Sequence, residues 1–364
     1  MPYVSEAASA VPSHPIAQSD VKELVLRMFR PHYPGIEKLI SVFDHSEIEQ
    51  RYFCAPLDWY PEPHSPEQKH RMYVEHACQL AEEAARRCLQ KASLEPEHID
   101  HLIFVSTTGT ATPSIDAHLF NRLSFKRNLK RTPIWGLGCA GGAAGLSRAL
   151  EYVKAFPTHR CLVVAVELCS LTFLPNDRSK SNIVATCLFG DGAAAVLVCG
   201  DETEPKRSSP LRLELLGSQS TTWKDSLDIM GWDIVDEGMK VVFSRDIPSL
   251  VRKEIHPNVE ELVHSFGVEG SQIRNYVLHP GGMKVLQAYR EALQAPDGAL
   301  DASADILREY GNMSSCTVFF VMERMLSEGR FQEGHGILGA LGPGFSSELV
   351  LFHAAKSPGV DQYQ

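Results

Sequence analysis

Short apolar runs alternate with longer amphipathic stretches along most of this 364-residue chain, and that alternation constrains its fold more than any other feature. In the first half the runs starting at His101 (HLIFVS), Thr132 (TPIW), Cys161 (CLVVAV) and Gly192 (through Cys199) read as strands. Apolar positions recurring at three- and four-residue spacing predict helices from Tyr73 to Leu94, over about 114–123 and over about 140–156. Strand and helix in turn imply right-handed crossovers onto a mainly parallel sheet, an α/β fold. The second half repeats the logic: a helix around 246–266, the strand Tyr276–Leu278, helices over about 281–293 and 314–327, and final strands around 336–342 and 347–353. Two similar halves predict an internal duplication, although no sequence identity between them is visible. The polar, turn-prone stretch 201–210 (DETEPKRSSP) places the boundary, giving halves 1–205 and 206–364. Residues 1–18 read as a loose lead-in, 20–50 as helical pieces, and 54–67 as a loop punctuated by Pro56, Pro61, Pro63 and Pro66.

Length agrees with two domains at roughly 100–200 residues each. Hydrophobic residues at 44% and charged residues at 22% describe a chain with a sizeable core rather than a disordered one. Acidic residues outnumber basic ones 45 to 35, which argues against nucleic acid as a partner while leaving room for a local basic pocket. The nine cysteines are dispersed with no CxxC pair, so a reduced, cytoplasmic chain is expected. The first residues lack the pattern of a signal peptide. The most apolar run, 183–200, is broken by Asp191 and three glycines, so no membrane span is expected.

The sharpest chemical feature is Trp135-Gly-Leu-Gly-Cys-Ala-Gly-Gly-Ala-Ala-Gly145, a thiol between a predicted strand and a predicted helix. The free N–H groups of a helix start would favour the thiolate of Cys139, the form that attacks carbonyls. The small residues around it permit close backbone packing and access for a narrow substrate. A rival reading uses the same glycines: Gly136, Gly138 and Gly141 match GxGxxG, and Glu167 ends the next strand as a ribose-binding acid would. Two further features favour the nucleophile. His279 closes an apolar strand in YVLHPGG, and Asn312 precedes a predicted helix in GNMSS. Singly, a strand-end histidine is usually structural and an asparagine before Ser-Ser is usually a cap. Together, Cys, His and Asn are the set that thioester chemistry needs: an acyl acceptor, a proton acceptor, and N–H donors for an enolate oxygen.

The chain resembles the type III polyketide synthases, the chalcone and stilbene synthase group of the thiolase superfamily, from about residue 20 to 353. The likeness rests on Gly138-Cys-Ala-Gly-Gly142, Leu188-Phe-Gly-Asp-Gly192, His279-Pro-Gly-Gly282, Gly311-Asn-Met-Ser-Ser315 and Gly342-Pro-Gly344, in the family's order. It implies a thiolase fold of duplicated halves layered α-β-α-β-α, and a homodimer. It also implies that Cys139 carries the acyl chain while His279 and Asn312 support acylation and malonyl-CoA decarboxylation. Phe189 resembles a gatekeeper between a CoA tunnel and the cavity, and Cys169, Thr172 and Ser314 fall where the family shapes that cavity. Neither a metal nor a redox cofactor is implied, with acyl-CoA and malonyl-CoA as substrates.

The departures from the plant pattern are informative. Val241 stands where plant enzymes carry a second gatekeeper phenylalanine, and with Cys169 it leaves room for a long aliphatic starter. Trp232 stands near a position that is often glycine, and Thr112 replaces a methionine inserted across the dimer interface. Of the basic residues used for CoA phosphates only Arg51 falls in the matching region, which keeps an acyl carrier protein open as donor. These features are closest to bacterial alkylpyrone or alkylresorcinol synthases. A single-condensation β-ketoacyl synthase, a non-catalytic acyl-binding protein and an NAD-dependent dehydrogenase are the competing readings. Elsewhere, His64, His70 and His76 recur at a spacing that does not stack on one helix face, against a metal site. The basic run 126–131 reads as a solvated loop. Cys161, Cys187, Cys199 and Cys316 read as small core residues, and Asp191 as fixing the turn before its strand.

Overall fold

The apolar runs do become strands and the amphipathic runs helices, in a computed structural model that describes residues 1–31, 33, 35–203 and 211–356. The first half contains β1 (Tyr3–Ala10), β2 (His14–Ala17), α1 (Gln18–Phe29), α2 (Ile36–Asp44), β3 (Gln50–Phe53), α3 (Pro66–Lys91), β4 (His101–Val105), α4 (Ile115–Arg122), β5 (Lys130–Ile134), α5 (Gly141–Ala155), β6 (Arg160–Leu168), α6 (Lys180–Leu188) and β7 (Asp191–Cys199). The second contains β8 (Leu211–Thr222), β9 (Met230–Val235), β10 (Gly238–Phe243), α7 (Ile247–Ser265), β11 (Ile273–Leu278), α8 (Met283–Leu293), α9 (Asp301–Tyr310), α10 (Thr317–Ser327), β12 (Gly334–Gly342) and β13 (Ser346–Lys356). The expected boundary at 205/206 lies outside the described residues.

Duplication is visible in the topology. The sheet order is β11-β12-β13-β8-β1-β7-β6-β4-β5. In the first half β4 pairs parallel with β6, and β6–β7 and β7–β1 are antiparallel. In the second, β11 pairs parallel with β12, and β12–β13 and β13–β8 are antiparallel. The half-sheets meet through β1 and β8, at Tyr3 opposite Glu214 and Val4 opposite Leu213. Alternate residues of each strand face opposite layers, as the two-residue period requires. Ile103, Val163, Val277 and Leu338 pack with α5 and α10 in the middle layer. Leu102 and Val164 face α3 on one outside, and Leu278 and Ile337 face α7 and α8 on the other. The result is the layered α-β-α-β-α arrangement.

Three expectations are corrected. The sheet is mixed rather than mainly parallel: β4–β5, β4–β6 and β11–β12 are parallel, and the other five pairings are antiparallel, because β1, β7, β8 and β13 run against their neighbours. Residues 1–18 are no loose lead-in, because β1 lies between β7 and β8 near the middle of the sheet. Its sequence, YVSEAASA, has weak strand propensity, and burial between neighbours overrides that. Helix α3 starts at Pro66 rather than Tyr73: Ser65 and Gln68 form a capping box with Pro66 at the first helical position, so the last proline of the presumed loop is a helix start. Beyond these corrections, the structure adds the β9–β10 hairpin, a stretch from which the sequence pattern predicts no element.

The middle layer depends on the absence of side chains. A Cβ on Gly142 of α5 would lie 2.2 Å from the carbonyl oxygen of Ser315, at the foot of α10. Gly142→Ala therefore forces the two helices apart, and we expect a loss of about 1–3 kcal/mol in urea unfolding, the usual cost of overpacking a core.

Candidate active site

The duplication brings two like turns face to face. Cys139 lies in the 3-10 turn Gly138–Ala140 that opens into α5, and Ser314–Cys316 forms the corresponding turn that opens into α10. The thiol of Cys139 donates to Asn312 Oδ1 at 3.9 Å. The same oxygen accepts the backbone N–H of Ser314 at 2.8 Å, and Asn312 Nδ2 donates to the carbonyl of Gly281 at 3.3 Å. One carboxamide thus joins the cysteine turn, the turn before α10 and the HPGG loop after β11. His279 opens that loop and is anchored by its backbone N–H on Gly339 O of β12, 2.9 Å away. Its ring is buried, and neither Nδ1 nor Nε2 has a hydrogen-bond partner among the described residues.

Burial dominates the electrostatics. It pushes the Cys139 thiol up to about 11, against the opposing hydrogen bonds of Ser314 and Asn312. It also pushes His279 down to about 3. Desolvation of the anion works against the preference for thiolate expected of a helix start. Both groups are neutral at neutral pH.

Every cavity residue read from the sequence lines one of two small spaces that share a wall. The first, about 40 Å³, is lined by Cys139, Ser314, Pro343, Phe189, Trp232 and Val241 among others. The second, also about 40 Å³, lies beneath α1 and α6 and includes Cys169, Thr172, Leu24, Phe189, Trp232 and Val241. The common wall is Phe189, Trp232 and Val241. Trp232 and Val241 face each other across the β9–β10 hairpin, and the Phe189 ring is 6.4 Å from those of Trp232 and Phe243.

Other candidates fall elsewhere. Arg51 is fully buried and donates to Thr186 O, Phe189 O and Gln18 Oε1, so it cannot serve as a CoA phosphate contact. Glu167 is no ribose acid: its carboxylate is buried and accepts from Thr107 N, Thr108 N, Thr108 Oγ1 and Ser315 Oγ. Among the described residues no three metal-ligating side chains cluster, and His64 stacks on Trp59 with ring centroids 3.6 Å apart. In the basic run, Lys126 pairs with Asp100, and Arg131 pairs with Asp116. Cys161, Cys187, Cys199 and Cys316 are buried. Asp191 accepts from Cys54 N and from Ser170 N and Oγ, so it holds the end of β3 and the turn after β6 rather than the turn before its own strand. Thr112 is exposed, and no helix among the described residues is long and apolar enough to cross a membrane.

The description "Chalcone and stilbene synthases, N-terminal domain" matches residues 4–202, and the C-terminal domain of the same family matches 216–356. The chain is 43% identical to a putative chalcone synthase of Bacillus subtilis, covering 98% of this chain and 100% of that one. It is 36% identical to a 1,3,6,8-tetrahydroxynaphthalene synthase of Streptomyces peucetius, over 96% and 92% of the two chains. It is 28% identical to an alpha-pyrone synthesis polyketide synthase-like protein of Mycobacterium tuberculosis, over 95% and 89%. Its fold superposes on the crystal structure of 1,3,6,8-tetrahydroxynaphthalene synthase from Streptomyces coelicolor, a bacterial type III polyketide synthase. That match has a TM-score of 0.90 at 27% identity and covers 98% of this chain and 100% of that one.

Cys139 is half-buried while the other cysteines are buried and free. Iodoacetamide on the folded protein should therefore add one group, at Cys139, as read by peptide mass spectrometry. Because its thiol is held up to about 11, the rate should rise about tenfold per pH unit between pH 6.5 and 8.5. A rate already flat at pH 6.5 would place the proton on His279 instead.

Proposed function

The chain belongs to the chalcone and stilbene synthase family, the type III polyketide synthases, and from that premise we propose that it builds alkylpyrones or alkylresorcinols from a fatty acyl starter and malonyl-CoA. The observation that carries the reading is His279, buried at the start of the HPGG loop that Asn312 ties to the Cys139 turn, with both ring nitrogens unpartnered among the described residues. An unsatisfied buried ring costs stability unless a substrate completes it.

In this reading His279 takes the thiol proton and Cys139 attacks the acyl thioester carbonyl. The C–S bond to CoA breaks, and CoA leaves with a proton. Malonyl-CoA then binds with its thioester oxygen facing His279 and Asn312. The C–C bond to its carboxylate breaks, CO₂ departs, and the electron pair forms an enolate whose oxygen is held by N–H donors. Asn312 Nδ2 uses one hydrogen on Gly281 O, and an amide nitrogen has a second to give. The enolate carbon attacks the acyl carbonyl and expels the Cys139 thiolate. The lengthened CoA thioester is reloaded for two or three rounds and then cyclises. Loss of CO₂ drives each condensation, so the chemistry runs without a metal or redox cofactor. CoA thioesters are the donors, with acyl carrier protein a second source of starter, and the protein works as a homodimer in the cytoplasm.

Support for a fatty starter comes from Val241 and Cys169 beside the second cavity, which is lined by apolar residues of α1 such as Leu24 and Val25. At about 40 Å³ the two spaces hold an extended chain only if Phe189 and Trp232 yield. Malonyl-CoA and acyl-CoA starters from C6 to C20, followed by mass spectrometry, should give alkyl pyrones or resorcinols from the native protein and none from Cys139→Ala or His279→Ala. Val241→Phe should lower kcat/KM for long starters relative to hexanoyl-CoA by about tenfold or more, since single apolar contacts in a pocket discriminate on that scale. A lone β-keto product would move the chain to the single-condensation class, and tetrahydroxynaphthalene from malonyl-CoA alone would remove the fatty starter.

A further inference from the structure

The shared wall depends on how α6 ends. The last carbonyls of a helix lack intrahelical donors, and a buried helix end must find them elsewhere. Ala185 O receives the N–H of Phe189 at 2.9 Å, and Leu188 O receives that of Asn312 at 2.8 Å. The other three come from two buried side chains. Arg51 Nη1 donates to Thr186 O at 2.6 Å and to Phe189 O at 2.7 Å, and Gln18 Nε2 donates to Cys187 O at 3.0 Å. The two side chains are locked to each other, Arg51 Nη2 to Gln18 Oε1 at 2.6 Å. No carboxylate among the described residues pairs with this guanidinium. Its counter-charge is the negative end of the α6 dipole, helped at longer range by Asp191.

The arginine stem is gripped as tightly as its head. A Cβ on Gly311 would lie 2.7 Å from Arg51 Cγ and Cδ and 2.8 Å from Leu188 O, and Gly311 has φ +69. Beyond the cap, Gly190 N–H donates to Asn312 O at 3.0 Å, so that Phe189 and Asn312 form a short parallel bridge. One guanidinium thereby holds the wall residue and, through it, the chain that presents Asn312. A lysine cannot replace it, since a single ammonium on a flexible stem does not span three oxygens in a fixed fork.

We propose that Arg51, together with Gln18, is a specificity-determining positioning residue. Capping α6 from inside the protein, it fixes Phe189 in the wall between the Cys139 chamber and the cavity under α1, and so sets which starter lengths cross that wall. The inference rests on the acyl-transfer reading above and adds to it a residue that touches no substrate.

The test uses the full-length protein with Arg51→Lys, Arg51→Met and Gln18→Leu. The readouts are kcat/KM for hexanoyl- and hexadecanoyl-CoA with malonyl-CoA, Cys139 alkylation, and amide hydrogen exchange at Gly190 and Asn312. A loosened cap lowers the cost of displacing Phe189. The hexadecanoyl-to-hexanoyl ratio should therefore rise about fivefold or more in Arg51→Lys and Gln18→Leu, with alkylation within about twofold of native. Exchange at Gly190 and Asn312 should rise together. A uniform loss over both starters with the ratio unchanged would reduce Arg51 to a structural role and overturn the proposal. If Arg51→Met does not fold, the two milder variants decide. If the native protein makes no polyketide from any starter, the acyl-transfer reading fails, and the exchange data then decide the cap alone: unchanged protection would overturn it.

Discussion

Glu167 is the tie on which the rest of the site depends. Its carboxylate, at the end of β6, sits between the two halves of the duplication. Oε2 takes the N–H groups of Thr107 and Thr108 and the Thr108 hydroxyl, while Oε1 takes the hydroxyl of Ser315. Thr107 in turn accepts the N–H of Gly138 through its hydroxyl at 3.0 Å. One buried acid therefore orients both the turn that carries Cys139 and the turn that follows Asn312. Burial raises its proton affinity and its donors lower it. Oε2 keeps two donors if one is lost, but Oε1 depends on Ser315 among the described residues, and removing that hydroxyl leaves a buried oxygen unsatisfied at a cost of about 1–3 kcal/mol. The reciprocal dependence makes the site rigid.

That rigidity explains why the reactive groups can be kept in their uncharged forms. In a dry site neither a lone thiolate nor a lone imidazolium is cheap, and both Cys139 and His279 are held neutral by burial. Under the proposed function, the fold would supply not a charged nucleophile at rest but a fixed geometry in which charge forms as a pair when substrate arrives. Fixed dipoles need no reorganisation at that moment, and this is the principal way such sites lower a barrier.

Much of this was legible in the sequence because it is written in local signals. The strand-to-helix turn around Cys139, the apolar run into His279 and the glycine before Asn312 each announce themselves within a few residues. The paired halves could be inferred from the order of elements, though not from identity. The unread parts are those in which tertiary context decides. The β1 strand has the composition of a loop and becomes a strand because neighbours pair with it on both sides. Arg51 has the sequence context of a surface ligand contact, and only the three-dimensional arrangement shows it facing inward to helix carbonyls. The environment of Cys139 divides in the same way: a helix start is visible in sequence, and the surrounding burial that pushes its thiol up is not.

Comparing the two halves separates the frame they share from the pieces that line the cavities. The elements common to both, α5 with α10 and β4-β6-β7-β1 with β11-β12-β13-β8, position Cys139, His279 and Asn312. The cavity walls are built from elements without a counterpart. Between β1 and α3 the first half inserts β2, α1, α2 and β3, while between β8 and α7 the second inserts only the β9–β10 hairpin. Between β6 and β7 the first half inserts α6, where β12 and β13 are joined by a tight Pro343-Gly344-Phe345 turn. Phe189, Trp232 and Val241 therefore stand on inserted pieces packed against the duplicated frame. Such pieces can change shape without disturbing the middle layer, provided that something couples their ends to the frame. At the end of α6 that coupling passes through Arg51, Gln18 and the Phe189–Asn312 bridge, which join the cavity wall to the turn that presents Asn312 beside Cys139.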